Sequence, residues 1–369
     1  LIFTYKFKLY PTPVQSKKME ETTETCRRLY NNLLASRKET GAGFFVQRRQ
    51  LAQARKNDKF LRIVQSHVLE DVVARLDKAY GKFYAGICRY PRFRRKGAYR
   101  SFTFDYTGFS IYRGFVRLSM VGDVRFRLHR AIVGRVKRAT VIKDVDQWFV
   151  AFDVEAAKLA ETVGPGKIGV DLGLTNIVAL SDGTIIENPR WLCKSASLIR
   201  SLQRQLSRKK KGSHNRDKAR TRLAKAWRTI SRRREDYAHK LSYRLAKENN
   251  LIVFENLRIR NVVRNHDLAQ AIMDVCWGKL RRLTASKAER RGGRVVLVSP
   301  NNTSQKCSGC GKVVRKDLSV RVHECPNCGL VIDRDVDAAR NILEAGLEQA
   351  RVKAGPLLVQ RRRISKFGR

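Results

Sequence analysis

Asp171, Glu255 and Asp335 each close an apolar run or open a helix, and a full supersecondary unit separates each from the next. Residues 167–171 (KIGVD) and 251–255 (LIVFE) read as apolar strands ending in a carboxylate, and residues 333–342 (DRDVDAARNI) open a short helix that Gly346 can cap. Between the first two lie a strand over 177–180, the two-residue turn Asp182-Gly183, a returning strand over 184–186 and a helical stretch over 197–247. That stretch breaks near Gly212-Ser213, which predicts a hairpin of two long helices. Between the second and third carboxylates lie a helix around 268–290 and an apolar strand over 294–299 (RVVLVS). Taken alone, Asp171 is an ordinary loop-edge residue and Asp335 an ordinary helix N-cap. In this order they fit a sheet whose connections bring all three to one edge.

That order is the layout of an RNase H-like fold. A cluster of carboxylates is unfavourable without cations, so the site is expected to hold two Mg2+ about 4 Å apart, with Mn2+ as a substitute. One ion helps to generate an attacking hydroxide and the other stabilises the leaving 3′ oxygen of a phosphodiester. Cys307-x2-Cys310 and Cys325-x2-Cys328, 14 residues apart, suit one tetrahedral Zn2+ with no open position, hence a structural zinc ribbon. Gly309, Gly311 and Gly329 are expected in its tight turns. Cys26, Cys88, Cys193 and Cys276 are solitary and read as small buried apolar residues.

The partner follows from charge. The 369 residues carry 78 Lys+Arg against 33 Asp+Glu, a net +45, while 43% of them are apolar, so the chain folds and faces a polyanion. Residues 200–247 alone hold 18 Lys+Arg and 3 Asp+Glu, including Arg208, Lys209, Lys210 and Lys211 at the turn and Arg232, Arg233 and Arg234 further on. No run reaches the 18 or so apolar residues of a membrane span. Residues 1–10 alternate like a strand and not like a signal peptide, which predicts a cytoplasmic setting.

Upstream, one apolar helix face falls on Cys26, Leu29, Tyr30, Leu33 and Leu34, and a second on Val68, Val72, Leu76, Ala79, Phe83 and Ile87, ending before Pro91. Residues 99–156 carry short alternating β-runs of a small barrel that residues 1–10 join. Gly164-Pro165-Gly166 reads as a hinge. Ser66, Lys78 and Lys82 are polar positions of the same helical stretch, which by pattern alone is an ordinary amphipathic helix with a solvated face. Tyr90, Phe93 and Tyr99, interleaved with Arg92, Arg94 and Arg95, suit either stacking on the bases of a structured RNA or packing at the barrel entrance.

At this point the chain resembles TnpB, the family of transposon-encoded RNA-guided DNA nucleases related to compact type V CRISPR effectors. The residues that carry the likeness are Gly169-Val170-Asp171-Leu172-Gly173, the stretch 207–212 (SRKKKG), Phe254-Glu255-Asn256-Leu257, Thr303-Ser304-Gln305 before Cys307, both CxxCG knuckles and the stretch 333–342. The resemblance implies a multidomain α+β and α/β chain. Residues 1–10 and 91–163 would form a β-barrel wedge domain, and 11–90 a helical recognition domain inserted into it. Residues 164–298 and 330–346 would form a RuvC-like nuclease domain, 299–329 a zinc-ribbon target-nucleic-acid-binding domain, and 347–369 a disordered basic tail. It implies Asp171, Glu255 and Asp335 as the catalytic triad, a guide RNA from the transposon end, and a target DNA with a short adjacent duplex motif that Ser66, Lys78 and Lys82 would contact; a monomer is the favoured oligomeric state. One departure is Asp337, where the family usually has Asn, which would add negative charge near the metals.

A nuclease-dead relative that only binds DNA would gain nothing from clustered carboxylates beside phosphates. A compact type V CRISPR effector would carry the same core. A cut-and-paste transposase would usually show the order Asp, Asp, Glu, and a ribosomal zinc-ribbon protein would not need the separated strand-end carboxylates.

Overall fold

In the computed structural model of the chain, residues 2–156, 163–257, 274, 276–317 and 320–353 are described. The start of the expected helix over 268–290 and residues 354–369 of the expected tail lie outside them. The chain divides into two compact units, Leu1–Ala157 and Lys158–Arg369.

The first unit opens with strand β1 (Ile2–Tyr10), then helices α1 (Pro13–Thr40), α2 (Phe44–Asn57), α3 (Lys59–Arg62) and α4 (Ser66–Tyr84). Thr12 and Gln15 start α1 with a reciprocal capping box, and Gly41 ends it in the left-handed region. Strands β2 (Ser101–Asp105), β3 (Phe109–Tyr112), β4 (Phe115–Leu118), β5 (Gly122–Phe126), β6 (Arg135–Asp144) and β7 (Gln147–Glu155) complete an antiparallel sheet of order β2-β6-β7-β1-β5-β4-β3. Strand β1 thus joins the later strands across the helical insertion, as expected. Edge strands β2 and β3 share no ladder, so the closure expected of a barrel is not made by backbone hydrogen bonds. The sheet nevertheless curls. Phe109 on β3 stacks on Phe152 on β7 at 6.1 Å, whereas four strand spacings across a flat sheet would part them by roughly 19 Å.

Val68, Val72, Leu76 and Tyr80 of α4 are buried in one core with Phe7, Phe102, Phe104 and Phe152 of the sheet. The helix stops earlier than its apolar spacing suggests. Gly86, at φ 67°, ends it in the left-handed conformation, and Ile87 is left exposed. Of the solitary cysteines only Cys26 is buried; Cys88 and Cys193 are exposed and Cys276 is intermediate.

The second unit is built on β8 (Gly166–Asp171), β9 (Asn176–Leu180), β10 (Ile185–Glu187), β11 (Asn249–Glu255) and β12 (Arg294–Val298), in the order β10-β9-β8-β11-β12. Strands β8, β11 and β12 are parallel, and β9 and β10 run antiparallel to their neighbours. Helices α5 (Trp191–Lys194), α6 (Ala196–Ser207), α7 (His214–Glu248), α8 (Trp277–Arg291) and α9 (Arg334–Lys353) accompany them. The break between α6 and α7 falls at Gly212-Ser213, where the Ser213 hydroxyl caps α7.

Period-two alternation divides the sheet into two faces. Ile168, Val170, Ile252 and Phe254 pack with Leu241, Leu245, Trp277 and Leu280 of α7 and α8. Leu251, Val253 and Val298 pack with Ile342 of α9 on the other face. Two glycines let α9 lie this close. A Cβ on Gly169 would fall 2.0 Å from the Ala339 carbonyl oxygen, and one on Gly346 would fall 2.4 Å from Val253 Cγ2. Gly346 is therefore a packing contact inside α9 and not its cap, and the helix runs on to Lys353, seven residues into the expected tail. The expected hinge is equally tight: a Cβ on Gly164 would meet the Glu248 carbonyl oxygen at 2.2 Å.

Candidate active site and zinc knuckles

Strand register brings the first two carboxylates together. Val170 pairs with Phe254 on parallel strands, and Asp171 and Glu255 follow directly at both carboxyl ends. Alternation turns both toward the face that α9 covers, where Asp335 sits in the first helical turn. The N-cap of α9 is Asp333, whose Oδ1 accepts from the N–H of Asp335 (2.9 Å) and of Val336 (3.2 Å). Asp335 is thereby freed from capping. Its neighbours are Arg334, at 3.4 Å, and Arg321, at 4.0 Å.

Burial, then the charges of Glu255 and Asp335, push the Asp171 carboxyl up to about 8, against the pull of the Leu172 N–H and Arg334. Burial also raises Glu255, against the hydrogen bond from the Thr303 hydroxyl. A buried Asp171 whose proton is held on by two neighbouring carboxylates marks a site short of positive charge. An all-oxygen donor set in that condition fits hard divalent cations such as Mg2+.

Asp337 does not join this cluster, contrary to expectation. It is fully buried, accepts the Ser308 N–H at 2.9 Å, and turns Oδ2 toward His323 Nδ1 (3.5 Å) and Lys316 Nζ (3.8 Å). Helix periodicity explains this, because two residues advance the chain by about 200° and carry Asp337 to the side opposite Asp335. Its carboxyl group therefore faces the cysteine knuckle.

Cys307 and Cys328 approach to 3.6 Å between sulfurs, as do Cys310 and Cys325, and all four sulfurs lie within 4.8 Å of one another. These separations are too long for disulfides, and they match the ~3.8 Å edge of a tetrahedron with 2.3 Å Zn–S bonds. The two knuckles repeat one pattern: Gly311 N–H donates to Cys307 O and Gly329 N–H to Cys325 O, with φ of 75° and 72° at the glycines. Gly309 does not take positive φ; its missing Cβ makes room 3.4 Å from Cys328 Sγ. Strands β13 (Val322–Glu324) and β14 (Val331–Asp333) pair around the second knuckle and lead directly into α9. The Lys312 N–H helps to bring the Cys310 thiol down to about 6, toward the thiolate a metal requires.

Of the expected nucleic-acid contacts, Arg208, Lys209, Lys210 and Lys211 stand exposed on the α6–α7 turn, and Arg232 and Arg233 are exposed on α7. Arg234 is not. Its Nε bonds Asp274 Oδ1 at 2.7 Å, with the two side chains 15% and 7% exposed. It is an internal ion pair. In the first unit Lys78, Lys82, Arg92, Arg94 and Arg95 are exposed and Ser66 is half-buried at the first position of α4. The loop carrying the arginines is fixed to α1, since Asn31 exchanges hydrogen bonds with both the N–H and the carbonyl of Arg94. Phe93 is exposed, whereas Tyr99 packs on Tyr30.

Sequence reasoning missed Thr303, Asn341, Asp333, Lys316 and His323 as parts of the site. Thr303, Asn341 and Asp333 lie in segments whose family likeness was visible, but only their neighbours carried an obvious chemistry.

The second unit thus combines a mixed five-stranded sheet, carboxylates gathered at its carboxyl edge, and a four-cysteine cluster that fits a structural zinc site. Residues 150–266 match the family OrfB_IS605, described as "Probable transposase", and residues 277–342 match the "Cas12f1-like, TNB domain". Residues 2–42 match a "Helix-turn-helix domain", although here they form β1 and α1. A Streptomyces pristinaespiralis protein named "Putative RNA-guided DNA endonuclease" is 35% identical, the alignment covering 99% of this chain and 94% of that one. The Escherichia coli K12 protein "Putative RNA-guided DNA endonuclease InsQ" is 30% identical over 93% and 92% of the two chains. The chain belongs to the TnpB family. Its fold also resembles the protein in a Cas12f1–sgRNA–target DNA complex, at 13% identity and a TM-score of 0.55 over 89% of this chain and 81% of that one.

Proposed function

We propose that the chain is an RNA-guided DNA endonuclease whose cutting site is the cluster of Asp171, Glu255 and Asp335. The observation that carries this reading is the convergence itself: Asp171 is held protonated in part by Glu255 and Asp335, two residues from other elements of the sheet unit. The strand order β10-β9-β8-β11-β12 supports the RNase H-like, RuvC-type description of the unit. Asp171, Glu255 and Asp335 would hold two Mg2+. Bound there, the ions would make a water nucleophilic at neutral pH and stabilise charge on the leaving 3′ oxygen.

The chain's own residues do the rest. The carboxylates would hold the ions at the carboxyl edge of the sheet, and the exposed residues 208–211, with Arg232 and Arg233, neutralise the backbone of a guide RNA or its paired DNA. The four cysteines would hold one structural Zn2+. In the first unit, Ser66, Lys78, Lys82, Arg92, Arg94 and Arg95 are proposed contacts to the target-adjacent duplex and the RNA. The wedge, recognition, nuclease and zinc-ribbon boundaries given above belong to the same reading, with the nuclease helix extended to Lys353. No described helix is long and apolar enough to cross a membrane, and a monomeric particle in the prokaryotic cytoplasm is the proposed setting. Purifying the chain from cells that carry its transposon ends and sequencing the bound RNA tests the guide. One defined RNA species is expected; random RNA, or none, refutes it.

A further inference from the structure

Glu255 is 7% exposed, and the Thr303 hydroxyl donates to its Oε1. Thr303 is itself 7% exposed and carries one hydroxyl proton, for which the Pro300 carbonyl, at 3.3 Å, is the only other acceptor among the described contacts. An ionised carboxylate is the stronger acceptor. With Oε1 engaged, the second oxygen of Glu255 is left for a cation.

Thr303 in turn is placed by α9. Asn341, buried, donates through Nδ2 to the carbonyls of Thr303 (2.9 Å) and Lys306 (2.6 Å). One helical turn earlier, Asp337 accepts the Ser308 N–H. The helix that presents Asp335 therefore also fastens the backbone from Thr303 to Ser308, the strand of chain entering the first zinc knuckle. The Thr303 hydroxyl and the Asn341 Nδ2 both donate within the protein and so are not offered to a phosphodiester.

Resting on the two-metal nuclease reading, we propose that Thr303 is a positioning residue for Glu255, and that Asn341 sets Thr303 from the helix that carries Asp335. One relay then orients two of the three metal-binding carboxylates together. Loss of such an outer hydrogen bond typically lowers metal affinity by about 10–100-fold.

The test uses the chain purified with its RNA and reads Mn2+ binding by electron paramagnetic resonance, zinc content by elemental analysis, and guided cleavage. Thr303→Val keeps shape and removes the hydroxyl; Thr303→Ser restores it. The relay predicts that Thr303→Val weakens Mn2+ binding at least tenfold with zinc and RNA content unchanged, and that Thr303→Ser stays within about threefold of the original chain. Asn341→Leu should shift Mn2+ affinity in the same direction at constant zinc. Unchanged Mn2+ affinity in Thr303→Val, equal damage in Thr303→Ser, or loss of zinc in Thr303→Val would each overturn the proposal. These failures are distinct from failure of the nuclease reading, which would appear as an original chain that neither binds Mn2+ nor cuts.

Discussion

Replacing Gly169 by Ala tests how closely the geometry of the acidic site depends on the seat of α9. The new Cβ would lie 2.0 Å from the Ala339 carbonyl oxygen, 2.8 Å from the Leu343 nitrogen and 2.9 Å from Leu343 Cβ. Two of these are backbone atoms of a helix, so no rotamer change relieves them. Reaching an ordinary contact of ~3.5 Å requires α9 to retreat by about 1.5 Å. Overpacking of this kind costs about 1–3 kcal/mol. The same movement carries Asp335 away from Asp171 and Glu255, and misplacement by about 1 Å can cost roughly 100-fold in rate. Chemical unfolding and guided plasmid cleavage measure the two effects on one preparation, with Gly183→Ala as control, since a Cβ there meets nothing within 4 Å. Because Gly183 has φ 93°, the control carries backbone strain but leaves α9 in place. A Gly169→Ala chain that cuts at the original rate would refute the argument, as would a control that loses cutting equally.

Three further outcomes follow from the site. Asp335→Ala should abolish cutting, whereas Asp337→Asn, which keeps an acceptor for Ser308 but not the charge facing Lys316 and His323, should cost about 1–3 kcal/mol of stability and leave cutting within about threefold; the reverse pattern in a cleavage assay would reassign the triad. Because Asp171 is raised from 3.8 to about 8 in the folded chain, its contribution to stability without metal is full below pH 4 and is lost as pH rises toward 8; Asp171→Asn should remove that slope and saturating Mg2+ should flatten it, in melts run across this window. Arg234→Ala should destabilise by about 3–5 kcal/mol by stranding Asp274, while Arg233→Ala should leave stability within about 0.5 kcal/mol and only weaken RNA binding, as unfolding and filter-binding curves would show.

The positions of Asp171 and Glu255 were legible in the sequence because a strand's alternation and its carboxyl end are written in a few consecutive residues. The four-cysteine cluster was legible because its two CxxC pairs are likewise short local patterns. What could not be read depended on distant partners. Gly346 looks like a cap until α9 is seen lying on Val253, and Gly164 looks like a hinge until the end of α7 is seen against it. Arg233 and Arg234 are equivalent in composition, and only the burial of Asp274 separates a surface cation from an internal one. Asp337 appeared to burden the metal site because its sequence distance from Asp335 is small, although helix geometry places the two on different sides. The relay from Asn341 through Thr303 to Glu255 joins residues 38 and 48 positions apart, beyond any local pattern.

Guided cleavage of a supercoiled plasmid by the purified protein–RNA particle, compared between the original chain and Glu255→Gln with and without Mg2+, tests the central reading most directly. Cutting is expected only by the original chain, only with divalent metal and only at the site paired to the RNA. Cutting that survives Glu255→Gln or metal removal, or that ignores the RNA sequence, would contradict that reading.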